Sequence, residues 1–176
     1  LIAQSEHGVN SQSILVTKEK SIASKVESKL KEIIKRSPRK SIIKKSLKTN
    51  GLIIIAKNEN QIIDIVNTIS PEHLEILSFN FKKYLNNIFN AGTIAIGKYS
   101  PVAASDYNVG TNHTLGTLGS SRFASGLNLN DFYKKISRFQ LSRKGLKVIG
   151  KQAITLAEYE NLFSHALSIK SRIKEE

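Results

Sequence analysis

The sequence predicts an α/β fold, a parallel sheet with flanking helices followed by a small helical domain. Three observations predict it. Short apolar runs rich in β-branched residues, at 13–17, 51–56 and 91–97, alternate with stretches of helical periodicity. Strand–helix–strand alternation of this kind favours a parallel sheet covered by helices. Beyond residue 130 no strand pattern recurs, and the apolar residues return at helical spacing. Between the two regimes lies a long Gly/Ser/Thr-rich passage, 99–126, which sets a domain boundary near Leu127. Residues 1–127 then form the sheet domain and 128–176 the helical one.

The elements follow in order. Residues 1–8 read as the end of a helix, with Gln4 and His7 three apart on one face. Ser13-Ile14-Leu15-Val16-Thr17 is a buried strand. An amphipathic helix covers 21–36 through Ile22, Val26, Leu30, Ile33 and Ile34, and Pro38 marks its end. A short helix over 41–48 is closed by Asn50-Gly51. Residues 51–56 are apolar throughout, the pattern of a strand buried on both faces. A second amphipathic helix spans 58–69. The next stretch, Ser70-Pro71-Glu72-His73-Leu74-Glu75, reads as the start of a helix running to about residue 79. Ser70 is a good N-cap, and Pro71 suits the first helical position, where a missing N–H does no harm. Leu74 and Leu77 would then face the core. Residues 91–97 make a third strand, and the tail holds helices over 132–137, 142–149 and 151–174.

Glu72 and His73 are the candidate catalytic residues. In the first turn of a helix, the partial positive charge would favour an ionised Glu and a neutral, proton-accepting His. Two adjacent groups able to move protons near neutrality suit general acid–base catalysis. The plainer alternative is a capped surface helix with two solvated side chains, because short motifs arise readily by chance. The passage 99–126 carries Tyr107, His113, Arg122 and Phe123 among few charges, which favours an ordered loop lining a site. Ligands of open parallel sheets collect beyond the strand carboxyl ends, and both Pro71 and the segment after Gly97 lie in connections of that kind.

Composition narrows the class. With 40% hydrophobic residues the 176-residue chain can bury a real core, and with no cysteine any metal must be held by nitrogen and oxygen ligands. No run of about 18 apolar residues appears, so no transmembrane helix is expected. The opening residues turn polar at once, unlike a secretory signal, so a cytoplasmic location is the default expectation. The chain contains no methionine and opens in mid-helix, so a longer polypeptide is expected to continue upstream.

The net charge of +13 is unevenly spread. Between Lys18 and Lys48, twelve Lys and Arg stand against Glu19, Glu27 and Glu32, a net +9. Such a face could bind phosphates, which makes a non-catalytic basic α/β module for nucleic acid the alternative reading. It lacks interleaved aromatics, and the whole chain is rich in Lys, Ile and Asn. The preferred reading is therefore a solvated helix face, with no nucleic-acid partner.

Several segments resemble one enzyme family. Ser-Pro-Glu-His-Leu-Glu at 70–75 is similar to the catalytic motif of histidinol dehydrogenase, and Ala3-Gln4-Ser5-Glu6-His7 to that family's Gln-x-x-His segment. Asn90-Ala91-Gly92, Ser100-Pro101, Ser105-Asp106-Tyr107, Gly110-Thr111-Asn112-His113 and the run from Ser121-Arg122-Phe123 to Leu127 resemble its most distinctive stretch. Residues 156–165 match its terminal Glu-x-x-x-x-His helix. His7, His73, His113 and His165, the four histidines of the chain, all fall on family positions. The resemblance covers essentially the whole sequence.

The resemblance implies a zinc-dependent homodimer that oxidises L-histidinol to L-histidine by two hydride transfers to NAD, through an aldehyde that is not released. It implies zinc ligation by Gln4, His7, Asp106 and His165, and substrate contacts from these residues together with His73, His113 and Glu160. Glu72 falls on the residue that activates water and His73 on the general base. Glu160 and His165 are five apart, about 140° around a helix, so one flat face cannot present both. Members of the family are longer, and 1–127 corresponds to the second half of an incomplete Rossmann-like domain. No Gly-rich dinucleotide fingerprint appears, so most of the NAD site is expected upstream of Leu1, and the chain alone is expected to be inactive. Val102 stands where some members carry Glu. The helical tail would pack across a dimer, giving shared active sites.

Overall fold

The computed structural model describes residues 1–112, 114–116 and 118–174. They divide into two compact units, 1–132 and 133–176.

The first unit begins with α1 (Ile2–Ser5), β1 (Ser13–Thr17), α2 (Lys20–Arg36), α3 (Lys40–Asn50) and β2 (Gly51–Ile55). β1 and β2 pair in parallel, Ser13 opposite Gly51 through Thr17 opposite Ile55. Parallel neighbours need a crossover, and α2 and α3 supply it, packing on the strand pair through the buried residues Ala23, Ile34 and Ile43. Polar anchors fix the start of the chain. The buried hydroxyls of Ser5 and Ser13 hydrogen-bond at 2.8 Å, Ser46 Oγ donates to the Ser11 carbonyl at 2.7 Å, and Asn50 Nδ2 to the Val9 carbonyl at 3.3 Å.

The burial expected for 51–56 is not found. Leu52, Ile53 and Ile55 are 52%, 38% and 45% exposed. The reason is topological: among the described residues β2 has one neighbouring strand, β1, in a two-stranded sheet.

The unit continues with α4 (Glu59–Ile69), β3 (His73–Ile76), α5 (Phe81–Leu85), β4 (Thr93–Ile96) and α6 (Val102–Ser105). Asn58 caps α4, its side-chain oxygen accepting from the Gln61 N–H at 2.9 Å. β3 and β4 form a second parallel pair, His73 opposite Thr93 through Ile76 opposite Ile96. Their core is Ile63 and Val66 from α4, Ile76 from β3, Tyr84 from α5 and Ile88, with Leu74, Phe81 and Ile94 packed around it. Each such buried Ile or Val stabilises the fold by about 1.5–3 kcal/mol. Asn67 fixes the return into β4: its Nδ2 donates to the Asn87 carbonyl at 2.8 Å, and its Oδ1 accepts from the Phe89 and Asn90 N–H groups.

The helix predicted over 70–79 is a strand. α4 runs to Ile69, so Ser70 closes that helix as a left-handed C-cap (φ 53°) rather than opening a new one. Pro71 then blocks continuation, and Leu74 and Ile76 face inward with the period of a strand. Leu77, expected in the core, is 69% exposed.

Short 3₁₀ turns at Ser120–Arg122 and Leu129–Phe132 precede the second unit. Residues 133–142 carry no regular helix, against the helix expected over 132–137. α7 (Arg143–Tyr159) and α8 (Phe163–Lys174) follow. The break expected near Gly150 instead falls at 160–162, where Asn161 has φ 61°. Gly150 stays helical because it is a contact point: a Cβ there would lie 2.6 Å from Ile173 Cδ1 and 3.2 Å from Ile169 Cγ2. No helix among the described residues is long and apolar enough to cross a membrane.

Candidate active site

The centre of the site is the chain between α4 and β3. Pro71 and Glu72 are held from one side by β4: the Gly92 N–H donates to the Pro71 carbonyl at 3.0 Å and the Thr93 N–H to the Glu72 carbonyl at 2.9 Å. Gly92 is required by this approach, since a Cβ would sit 2.7 Å from the Glu72 carbonyl oxygen. His73 Nε2 lies 3.7 Å from Glu72 Oε1, a contact too long for a hydrogen bond. The two side chains are 15% and 27% exposed, and His73 Nδ1 is buried with no partner among the described residues. An imidazole and a carboxylate thus stand side by side, partly shielded and not locked to each other, an arrangement able to pass protons to a third molecule.

This pair lies at the amino end of β3, whereas the segment after Gly97 leaves the carboxyl end of β4. In a parallel pair these are opposite ends, so Pro71 does not occupy the carboxyl-end crevice expected of it. The helix end presented to the pair is the carbonyl end of α4, so the expected help from a helix N-terminus does not apply. An open cavity of about 770 Å³ borders this region, lined by Gly92, Thr93 and Ile94 at the start of β4 and by Thr111, Asn112, Leu115 and residues 126–129 of the long loop. Within the passage 99–126, Gly110, Thr111, Asn112, Leu115 and Gly126 thus contribute to the cavity wall.

The other sequence-predicted residues are dispersed. Gln4 is half-buried in α1, and His7 is exposed just past its end. Asp106 is the half-buried C-cap of α6, a helix packed against β3. His113 lies outside the described residues. In the second unit, exposed Glu160 caps the end of α7 and exposed His165 sits in the first turn of α8. They therefore occupy two helices and not the single helix expected. No group of three His, Asp or Glu among the described residues is close enough to hold a metal ion. The Lys face of α2 is exposed, with Lys29 and Lys31 paired to Glu32 and Glu27 at 2.7 Å each.

Sequence reasoning took Ser70 for a helix N-cap and Arg122 for part of a site-lining loop, and gave Ser121 no role beyond its place in a motif. Ser70 Oγ and Ser121 Oγ are 2.5 Å apart and buried, and Arg122 donates to the carbonyls of Gly119 and Thr68. No periodicity could have joined residues so far apart in sequence.

Comparison with known proteins agrees with the motifs. The sequence model of the family described as histidinol dehydrogenase matches residues 1–173. Histidinol dehydrogenase of Pelagibacter ubique is 47% identical over 174 residues, covering 99% of this chain and 41% of that protein. That of Methanocaldococcus jannaschii is 43% identical over 173 residues, covering 98% of this chain and 40% of its own length. The crystal structure of histidinol dehydrogenase from Elizabethkingia anophelis superposes with a TM-score of 0.89 at 35% identity, over 98% of this chain and 40% of that one. The chain thus spans about 40% of the length of the relatives it matches, and over that span it belongs to the histidinol dehydrogenase family.

Proposed function

We propose that this chain is the acid–base portion of an enzyme that oxidises L-histidinol to L-histidine, through the aldehyde, by two hydride transfers to NAD. The observation that carries this reading is the shielded Glu72–His73 pair at the start of β3 in a chain of this family. His73 takes the hydroxyl proton of the alcohol, and later that of the hydrated aldehyde. Glu72 holds and deprotonates the water that hydrates the aldehyde. Protein side chains supply this proton traffic but no hydride acceptor, which is the cofactor's part.

Two imidazoles (His7, His165), a carboxylate (Asp106) and the amide oxygen of Gln4 make a nitrogen and oxygen donor set that suits zinc. A zinc ion there would orient the substrate's imidazole and amine. The same four residues, with His113 and Glu160, would hold the substrate. The bulk of an NAD site is not proposed for this chain, since among the described residues no Gly-rich turn joins a strand to a helix. On its own, therefore, the 176-residue chain does not turn over histidinol.

A homodimer with shared sites is supported by the second unit. At 133–176 it is too short for a self-sufficient core, and Leu156, Phe163 and Leu167 on its helices are exposed.

The test is NADH formation from NAD and histidinol by the protein as its gene encodes it. Turnover that His73→Asn abolishes supports the reading. A folded, zinc-loaded protein that neither binds nor oxidises histidinol overturns it.

A further inference from the structure

The turn at 119–122 grips the carbonyl end of α4 immediately before the Glu72–His73 pair. Ser70 and Ser121, 2% and 8% exposed, share a hydroxyl–hydroxyl hydrogen bond of 2.5 Å, and Ser70 Oγ also donates to the Gly119 carbonyl at 3.2 Å. Arg122 spans the same junction: Nη1 donates to the Gly119 carbonyl at 3.1 Å and Nη2 to the Thr68 carbonyl in the last turn of α4. A planar guanidinium suits such two-point bonding, and a cation beside a helix C-terminus is favourable. Ser70 itself holds φ at 53°, a left-handed conformation that residues with a side chain rarely adopt. Its N–H closes α4 on the Val66 carbonyl at 2.8 Å.

We propose that Ser121 and Arg122 are positioning residues for the Glu72–His73 pair. The proposal rests on the reading of that pair as acid and base. Segment 70–73 has two supports. On one side the N–H groups of Gly92 and Thr93 bond the Pro71 and Glu72 carbonyls. On the other, the 119–122 turn fixes Thr68 and Ser70. Glu72 and His73 are not bonded to each other, so their mutual geometry depends on where the backbone enters β3. Removing the turn's grip frees Ser70 to leave its left-handed conformation, which swings Pro71 and Glu72 relative to His73. Displacements of about 1 Å in such a pair lower rates by up to about a hundredfold.

The experiment compares Ser121→Ala, Ser121→Thr and Arg122→Ala in the protein as its gene encodes it. The alanine variants are expected to lower kcat between about tenfold and about a hundredfold, with KM for histidinol held within about twofold, and Ser121→Thr to restore most of the loss. A lowered Tm with kcat unchanged overturns the proposal, because the clamp would then only stabilise. Should the wild-type protein show no histidinol oxidation, the functional reading fails by itself. The clamp is then decided by the His73 imidazole resonances, identified by their loss in His73→Asn. A shift in Ser121→Ala that Ser121→Thr reverses supports it, and resonances unmoved by either alanine variant overturn it.

Discussion

At the scale of single residues, the Glu72–His73 contact of 3.7 Å leaves both side chains available to a third molecule, so the roles proposed for them can be tested separately. His73→Asn should lower turnover by about two to four orders of magnitude, the range for loss of a general base. Glu72→Gln should chiefly slow the step from aldehyde to acid, measured by supplying the aldehyde directly. Slowed alcohol oxidation with aldehyde oxidation spared would reverse the assignment. Gly92 is constrained from the same side: an added methyl meets the Glu72 carbonyl oxygen at 2.7 Å, and backbone cannot yield as a side-chain tip does. Gly92→Ala should therefore destabilise by about 1–3 kcal/mol, read from the urea midpoint, and a neutral result would show that β4 shifts without resistance. Glu72 and His73 stood out in the sequence as a motif. Their setting did not. Ser-Pro-Glu is equally good chemistry for opening a helix and for leaving one, and the choice was made by α4 continuing to Ile69.

Elements show the same division between local and distant information. β1, α2, α3, β2, α4 and β4 lie close to where their apolar periodicity puts them, because caps such as Asn58 and breakers such as Pro38 act locally. β3 has four residues, too few for a period of two to compete with an N-cap signal upstream. The α7–α8 break was misplaced because Gly150 looks like punctuation until Ile169 and Ile173 are seen resting on it. Glu59 shows what joins elements. Its carboxylate meets Lys83 Nζ of α5 at 2.8 Å and Lys18 Nζ, ahead of α2, at 3.5 Å. The hydrogen bond from Lys83 is the chief reason its pKa lies below the ordinary glutamate value, with a smaller pull from Lys18 and a partial counter-effect of burial. A carboxyl with a lowered folded-state pKa adds stability that is present above the ordinary value and is lost as pH falls through the lowered one. From roughly pH 4 downward, then, the wild type should lose thermal stability more steeply than Glu59→Gln. Parallel Tm-against-pH curves would show that the Glu59 bridges contribute nothing.

For the whole molecule, the ligand set proposed for zinc is divided between the two units. Gln4, His7 and Asp106 belong to 1–132, and His165 belongs to 133–176. Among the described residues, no group of three His, Asp or Glu forms a metal site. Spacing in the sequence could not have joined these residues, and only the family resemblance did. The second unit leaves large apolar side chains exposed on α7 and α8, Leu156 at 63%, Phe163 at 64% and Leu167 at 65%, which water disfavours. Under the homodimer proposal these helices cross to the partner and deliver His165 there. Zinc binding and dimerisation are then linked, because each complete ligand set exists only in the dimer. Mixing His165→Ala protein with Asp106→Ala protein tests this. A heterodimer would contain one site lacking both ligands and one intact site, so zinc per dimer should rise above that of either variant alone. Heterodimers that form, as judged by tag-separated capture, yet bind no more zinc than the parents would place all four ligands within one subunit.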